Sequence, residues 1–116
     1  MKKLIIVTGG CGFVGYNLIQ YFLEHTNLKI ISLDDYSSGS KKNRIKNKRV
    51  KYFSGHTKNI NKILINYKSK INSIFHFGEF SRIYQSFIQM NKCIQSNTIG
   101  SNAVFNFCLE NKIKLI

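Results

Sequence analysis

The chain has 116 residues, which is enough for one domain with a buried core but short for a complete two-substrate enzyme. A hydrophobic fraction of 43% excludes a disordered chain, and no apolar run reaches the roughly 18 residues that a membrane helix needs. The net charge of +13 comes mostly from scattered lysines, concentrated only at 41–51, which favours a solvated loop over a specific nucleic-acid site.

Apolar runs alternate with helical patterns along the chain. Continuous apolar runs predict strands at residues 3–7, 28–35, 49–55 and 72–77, and a fifth strand begins within 112–116. Strands that alternate with helices at this spacing are typical of right-handed βαβ units. The sequence therefore predicts an α/β fold: a Rossmann-type, doubly wound parallel sheet, truncated at about the fifth strand.

Three helices are predicted between these strands. The first ends near Asn27 in a left-handed cap, and its buried face is formed by Val14, Leu18, Ile19, Phe22 and Leu23. The second is capped by Thr57 and carries Ile60, Ile63, Leu64 and Tyr67. The third runs from about Ser86 to Asn111 and covers the sheet with Met90, Ile94, Phe105, Cys108 and Leu109.

The segment VTGGCGFVGYNL, residues 7–18, places four glycines between a buried strand and an amphipathic helix. In that context glycines form the dinucleotide fingerprint, because Gly12 lets a pyrophosphate approach and Gly15 lets the helix pack closely. The glycine at the turn is Gly10 if the motif is taken as G-x-G-x-x-G, or Gly9 if it is taken as G-x-x-G-x-x-G. The helix N-terminus then attracts the anion. A purely structural turn is the alternative reading.

An acidic residue at the end of the second strand favours the nucleotide reading. Asp34 follows Gly15 by 19 residues, where a carboxylate can hold the adenosine ribose. The chain has only five acidic residues, so this position is informative. We therefore expect a bound dinucleotide.

The three cysteines form no CxxC or Cys/His cluster, which predicts reduced thiols and no metal site. Cys11 lies in the glycine loop, where it fills a position for a small residue, with a reactive thiol as the alternative. The apolar stretch after Met1 is too short for a signal peptide. We expect a cytoplasmic protein.

Four segments together resemble a known family. VTGGCGFVGYNL resembles the Thr-Gly-x-x-Gly-x-x-Gly signature of extended short-chain dehydrogenases, the nucleotide-sugar epimerase/dehydratase group. LDDYSSG (33–39), IFHFGEFSRIYQS (74–86) and NTIGSNAVFNFC (97–108) resemble further motifs of that group, in the same order. Within the group the likeness is strongest to UDP-glucose 4-epimerases, and it covers nearly the whole chain.

The resemblance implies NAD as the cofactor and a set of residues that bind it. The expected cofactor-binding residues are Gly9, Gly12, Phe13, Val14, Gly15, Asp34, Asp35, Ser37, Ser38, Gly39, His56, Thr57, Phe77, Gly78, Ser81, Ser96 and Asn97. The alternative for Phe77 is that its side chain only packs in the core. The carboxylate of Asp34 should favour NAD over NADP, although the basic segment 41–51 could bind a 2′-phosphate instead.

Three positions depart from the family pattern. His56-Thr57 stands where the family has an Asp that addresses the adenine amino group, and a neutral histidine can still accept a hydrogen bond. Glu79 brings a carboxylate to the cofactor path, where Arg82 pairs with it or meets a substrate phosphate. Asp35 replaces an Asn, and the basic loop is expected to offset its charge.

The family's catalytic Tyr-x-x-x-Lys pair is missing, since none of the six tyrosines has a lysine four residues on. The chain also ends inside an apolar strand, an unfavourable place for a terminus. We therefore expect residues 1–116 to be the NAD-binding N-terminal part of a longer enzyme, with no catalytic residues and no turnover of its own. By resemblance that enzyme epimerises a nucleotide sugar.

Several alternatives stay open. A dehydratase or reductase on the same scaffold is the nearest, and a non-catalytic dinucleotide-binding regulator or a nucleic-acid module belongs to another class. The family also implies a homodimer through the helix at 86–111, for which Val104 and Phe107 begin a second apolar strip. A monomer is the alternative.

Overall fold

The computed structural model describes residues 2–37, 39–78 and 95–116. Its five strands are Leu4–Thr8 (β1), Lys29–Asp34 (β2), Val50–Ser54 (β3), Ile71–His76 (β4) and Lys114–Leu115 (β5). Its α-helices are Phe13–His25 (α1), Ile60–Ile63 (α2) and Ser101–Asn111 (α3), and a π-helical segment, Gln95–Gly100, directly precedes α3. Single 3₁₀ turns lie at Lys41–Asn43 and Thr57–Asn59.

The strands form one sheet with the order β3-β2-β1-β4-β5, and every pair is parallel. The predicted Rossmann-type fold and its five strands are therefore confirmed. From β1 the chain moves outward to β3 and then crosses back to β4 on the other side of β1. Such a reversal of direction opens a crevice at the carboxyl ends of the strands, which is where open α/β sheets bind ligands.

Both faces of the sheet are covered, which explains why the strands are continuous apolar runs. One face packs against α1, and its buried residues are Ile5, Val7, Ile19, Ile30 and Val50. The other packs against α2 and α3, and its buried residues include Ile6, Ile31, Leu33, Ile60, Leu64, Ile74, Val104 and Phe107. The crevice therefore lies above a core that is packed on both sides.

Two details of α1 differ from the prediction. The helix ends at His25, and Thr26 follows in an extended conformation (φ −138°), so there is no left-handed cap at Asn27. The Thr26 hydroxyl donates to the Phe22 carbonyl at 2.6 Å and so completes the last turn. Val14 is 54% exposed rather than buried, and it lines a cleft at the start of α1.

The second predicted helix is shorter than its apolar spacing suggested. It comprises only Ile60–Ile63, and turns follow up to residue 70. Thr57 is not its cap: the Nδ1 atom of His56 accepts from the Lys58 amide at 3.0 Å and caps the preceding 3₁₀ turn. The side chain that caps this region is therefore the imidazole of His56 and not the predicted hydroxyl of Thr57.

The third predicted helix is confirmed from Gln95 onward, and residues 86–94, including Met90 and Ile94, lie outside the described residues. Its buried face agrees with the prediction at Cys108 and differs from it at four other positions. Val104 and Phe107 are buried with Cys108, whereas Phe105 is 47% and Leu109 77% exposed. Both strips are apolar, so hydrophobic spacing alone did not distinguish the one that packs against α2 and the sheet.

Candidate functional site

A cleft of about 390 Å³ lies above the carboxyl ends of β1, β2, β3 and β4. It brings together most of the residues expected to bind a cofactor: Gly9, Gly12, Phe13, Val14, Gly15, Asp34, Asp35, Ser37, Gly39, His56, Thr57, Phe77 and Gly78. Phe77 is 38% exposed in this wall and therefore does not fill the core. Residues distant in sequence thus meet at the crevice that the strand order creates.

Four expected residues are not among those that line the cleft. Ser38, Ser81 and the side chain of Ser96 lie outside the described part of the chain, as does the expected Glu79–Arg82 pair. Asn97 is exposed in the π-helical segment and is not brought to the cleft.

Leu33, Gly55 and His76 also line the cleft, and sequence reasoning did not assign them to it. Each lies within two residues of the carboxyl end of a predicted strand. In a parallel sheet those ends share one edge. That shared position was the signal by which they could have been found.

At two positions of the turn between β1 and α1, nearby backbone atoms leave no room for any residue but glycine. Gly9 has φ +72°, and a Cβ there would lie 2.7 Å from the Phe77 carbonyl oxygen. A Cβ on Gly15 would lie 2.2 Å from the Gly9 carbonyl oxygen. The first turn of α1 therefore packs directly on the glycine turn, closer than any other residue allows.

Gly12 is different, because a Cβ there would meet only the Gly9 carbonyl oxygen, at 3.4 Å, among the described residues. The space beside Gly12 belongs to the cleft. Gly12 is also the N-cap of α1 and provides no side-chain cap bond. The first amide groups of α1 are thus available to an anion, as at the phosphate sites of helix N-termini.

Asp34 lies at the rim of the cleft, and both of its carboxylate oxygens accept hydrogen bonds from backbone amides. Oδ2 accepts from the Cys11 amide at 2.9 Å, and Oδ1 accepts from the Tyr36 amide at 2.8 Å. The residue is 8% exposed, and Tyr36 has the left-handed φ of 61° that this turn requires. A carboxylate has about four acceptor positions, so two amide bonds leave capacity for hydroxyl groups of a ligand.

The two arginines of the basic segment 41–51 have other hydrogen-bond partners. Arg44 donates to the Tyr36 hydroxyl at 2.8 and 2.9 Å and to the Ser54 hydroxyl at 3.3 Å. Arg49 donates to backbone carbonyls at the end of α1, including that of Thr26 at 2.7 Å. Neither guanidinium group bonds to Asp35, and the expected compensation of Asp35 by this loop is not seen among the described ion pairs.

A hydrogen-bond chain joins β1, β4 and α3 beneath the cleft. The Thr8 hydroxyl accepts from the amides of Phe77 and Gly78, both at 2.9 Å, and lies 2.6 Å from His76 Nδ1. With two lone pairs used, the hydroxyl donates its proton to Nδ1. Nε2 then carries the imidazole proton and donates to the Ser101 hydroxyl at 3.0 Å. His76 thereby connects the cleft wall to α3.

Cys11 is fully buried beneath the glycine turn. Burial raises the pKa of its thiol above the ordinary value, the Tyr36 hydroxyl opposes this shift, and the charge of Asp34 adds to it. A buried, protonated thiol is a poor nucleophile. The reactive alternative for Cys11 is therefore not supported.

Thr57 lines the cleft at 5% exposure, and its hydroxyl oxygen has no hydrogen-bond partner among the described residues. Within the same residues, no group of acidic, histidine or cysteine side chains is arranged to hold a metal ion. Nor does any helix there combine the length and apolarity needed to cross a membrane.

Comparison with known proteins matches this chain to one family. The sequence model of the "NAD dependent epimerase/dehydratase family" matches residues 5–116. A dTDP-D-glucose 4,6-dehydratase of Dictyostelium discoideum is 30% identical over 117 residues, which cover 95% of this chain and 27% of the relative. The chain thus spans only about a quarter of that protein.

Solved structures share the fold. An epimerase of Methanothermobacter thermautotrophicus superposes with a TM-score of 0.86 at 22% identity, covering 97% of this chain and 33% of that one. A UDP-glucose 4-epimerase of Thermus thermophilus, solved in complex with NAD, has a TM-score of 0.81 at 20% identity, covering 97% and 36%. Both correspond to this chain over about a third of their length.

Proposed function

The chain belongs to the NAD-dependent epimerase/dehydratase family, and we propose from this premise that it binds NAD in the cleft above β1 and β2, as part of a nucleotide-sugar epimerase. The observation that carries the proposal is the convergence of the glycine turn, the N-terminus of α1 and Asp34 on one cleft. Bound NAD supplies a reversible hydride acceptor for oxidation of a sugar carbon and its re-reduction.

The residues present fit a dinucleotide. The first amides of α1 offer donors and a positive dipole end to a pyrophosphate, and Gly12 leaves the approach open. Asp34 offers acceptor positions for ribose hydroxyls at the end of β2. The hydroxyl of Thr57, buried without a partner among the described residues, is a further group that a ligand could satisfy after rotation of the side chain.

The whole enzyme is proposed to be an epimerase of the UDP-glucose 4-epimerase type, with the nucleotide sugar bound outside these residues. Dehydration is the second candidate, because the Dictyostelium relative is named a dTDP-D-glucose 4,6-dehydratase. Product analysis of the whole protein with UDP-glucose and dTDP-glucose distinguishes them. Formation of UDP-galactose supports epimerisation, and loss of water from the sugar supports dehydration.

We expect a protein of these 116 residues alone to bind NAD but to show no turnover. Oxidation of a sugar hydroxyl needs a general base, and no tyrosine here has the lysine four residues on that the family uses. His76 does not replace it, because its Nδ1 already accepts from Thr8. Calorimetric titration with NAD checks binding, and chromatography of UDP-glucose reactions checks turnover. UDP-galactose formed above a no-protein control would contradict this prediction.

We also propose a homodimer through α3. Its contact is formed by the exposed residues Phe105 and Leu109, because Val104 and Phe107, which the sequence suggested, are buried in the core. Phe105 and Leu109 lie four residues apart, on the same side of α3, and point away from the core. We expect Phe105→Lys to weaken dimerisation at least about tenfold, since a charge would be buried in an apolar contact. Sedimentation velocity of the whole protein measures this. Asn106→Lys, on the exposed polar side, is the control, and a monomeric unchanged protein would refute the dimer.

The proposed compartment is the cytoplasm. Cys11 and Cys108 are free and buried among the described residues, and free thiols are typical of proteins kept under reducing conditions. The proposed substrate, a nucleotide sugar, and the cofactor NAD are consistent with a cytoplasmic location.

A further inference from the structure

Nearly all of the positive charge of the chain lies in one continuous segment. Residues 36–78 contain eleven of the eighteen Lys and Arg residues and none of the five Asp and Glu residues, so they carry +11 of the net charge of +13. The rest of the chain, with seven basic and five acidic residues, is close to neutral. An asymmetry of this size favours binding of an anionic partner on the side of the molecule that this segment forms.

Contacts along the edge strand β3 bring two parts of this segment together. Strand β3 lies at one end of the sheet, and its outer side pairs with no described strand. On one face of β3, the Tyr52 hydroxyl accepts from the Ile45 amide at 2.8 Å, which holds the preceding chain against the strand. On the other face, the rings of Phe53 and Tyr67 pack with their centroids 5.9 Å apart. Basic residues therefore border the outer side of β3 on both faces.

Four exposed lysines form this surface, which we call the basic edge: Lys46, Lys48, Lys51 and Lys68. Lys46 and Lys48 lie between Ile45 and the start of β3, and Lys68 follows Tyr67. Lys51 lies on β3 itself, with Nζ 5.9 Å from the centroid of the Tyr67 ring. Among the described residues, none of the four is paired with a carboxylate. Their charges are therefore available to an anion.

The basic edge attracts anions by charge and has no fixed hydrogen-bonding pattern. The arginines nearby are already engaged, because Arg44 donates to the hydroxyls of Tyr36 and Ser54, and Arg49 donates to backbone carbonyls at the end of α1. What remains exposed is lysine, a flexible point charge without the rigid fork that reads a base or a carboxylate. A partner bound here is therefore recognised by its charge density.

The composition of this side of the molecule favours nucleic acid over a membrane or a protein. Among the described residues of 36–78, the exposed large apolar side chains are Ile65 and Phe77, and Phe77 belongs to the cleft. A basic surface that binds membranes carries several apolar side chains that enter the lipid. Protein interfaces are depleted in lysine. The phosphates of a nucleic acid require only the cations.

We propose that the basic edge binds single-stranded RNA through its phosphates, independently of base sequence. A single strand can bend around the edge of a sheet, whereas duplex DNA is stiff over about 150 base pairs. The choice of RNA rests on the proposed function, because RNA is the single-stranded polyanion of the proposed compartment. None of the four lysines lines the cleft. The chain can thus hold NAD and RNA at the same time.

The test measures binding of a labelled oligouridine of about 20 nucleotides by fluorescence anisotropy, at a series of NaCl concentrations. On single strands the logarithm of the binding constant falls by about 0.7 per phosphate contact for each unit of log salt, so four contacts predict a slope of about −3. Lys48→Gln/Lys51→Gln should bind at least about tenfold more weakly at about 50 mM NaCl, with a slope shallower by about 1.4. Lys46→Gln/Lys68→Gln, which leaves β3 unchanged, should give the same result.

Lys112→Gln/Lys114→Gln is the matched control, because it removes the same charge from exposed lysines at β5, the opposite edge of the sheet. It should bind within about twofold of the unchanged protein, and circular dichroism checks that each variant folds. Equal weakening by the control and the two other double variants would overturn the inference, because net charge alone would then explain binding.

Three further outcomes bear on the inference. Tighter binding to phosphatidylserine vesicles than to oligouridine would overturn it in favour of a membrane. Competition between NAD and oligouridine would also overturn it, because the RNA would then lie in the cleft. Absence of oligouridine binding would overturn it and leave the proposed function standing, whereas absence of NAD binding would overturn the proposed function alone.

Discussion

Gly15→Ala is expected to lower the free energy of unfolding by about 3 kcal/mol, the upper end of the usual cost of overpacking, because the added atom meets rigid backbone. The new Cβ would lie 2.2 Å from the Gly9 carbonyl oxygen and 2.8 Å from the Gly10 Cα, both backbone atoms. Neither can move without displacing α1 from the turn. Small domains are stable by only about 5–15 kcal/mol, so much of the stability would be lost. Urea unfolding followed by circular dichroism measures the change.

Gly12→Ala is the matched comparison, three residues away in the same turn. Its Cβ would meet one described atom, the Gly9 carbonyl oxygen, at 3.4 Å. The expected loss of stability is under about 1 kcal/mol, the scale of an N-cap change. NAD affinity should nevertheless fall, because the methyl group fills the approach to the amides of α1. A stable Gly15→Ala protein, or full NAD affinity in Gly12→Ala, would contradict the separate roles assigned to these glycines.

Asp34→Ala is expected to lower the affinity for NAD at least about tenfold, and to lower the affinity for NADP much less. On the proposed function the carboxylate of the unchanged protein would accept ribose hydroxyls and repel a 2′-phosphate, so NAD should be preferred. Titration of both proteins with both cofactors measures the ratio of the two dissociation constants. The ratio is the useful quantity, because a general weakening of the site affects both cofactors alike.

The structure also predicts that this substitution destabilises the fold. Asp34 satisfies the amides of Cys11 and Tyr36, and an unsatisfied buried amide costs about 1–3 kcal/mol. Asp34→Asn serves as a second variant, since it keeps one acceptor oxygen and removes the charge. It should reduce the NAD preference as well. Tighter binding of NADP by the unchanged protein would contradict the assignment of Asp34 to the ribose. It would indicate instead that the basic segment 41–51 binds the 2′-phosphate.

Much of the fold was predictable because the sequence patterns that indicate its strands and its glycine turn are each contained in a short stretch of the chain. Strands buried on both faces are apolar throughout, and all five were located to within two residues. The glycine spacing and Asp34 belong to a fingerprint whose physical requirements repeat wherever a dinucleotide meets a helix N-terminus. The family assignment followed from motifs of the same local kind.

The exposed and buried strips of α3 were not predictable in this way. Val104 with Phe107, and Phe105 with Leu109, are two apolar pairs on neighbouring sides of one helix. Hydrophobic spacing identifies both and does not rank them. The choice depends on which side chains fill the space between α2 and the sheet, and that space exists only once the chain has folded.

The sequence by itself determined the parallel α/β architecture, the glycine turn and the acidic residue that follows β2. Only the tertiary structure decided which atoms of these residues remain available to a ligand. Asp34 uses both oxygens on the amides of Cys11 and Tyr36, and His56 gives its lone pair to Lys58, which leaves a donor beside Asp35. The reason is physical: a residue's type sets its total hydrogen-bonding capacity, but the neighbours that consume part of it are brought close only by folding.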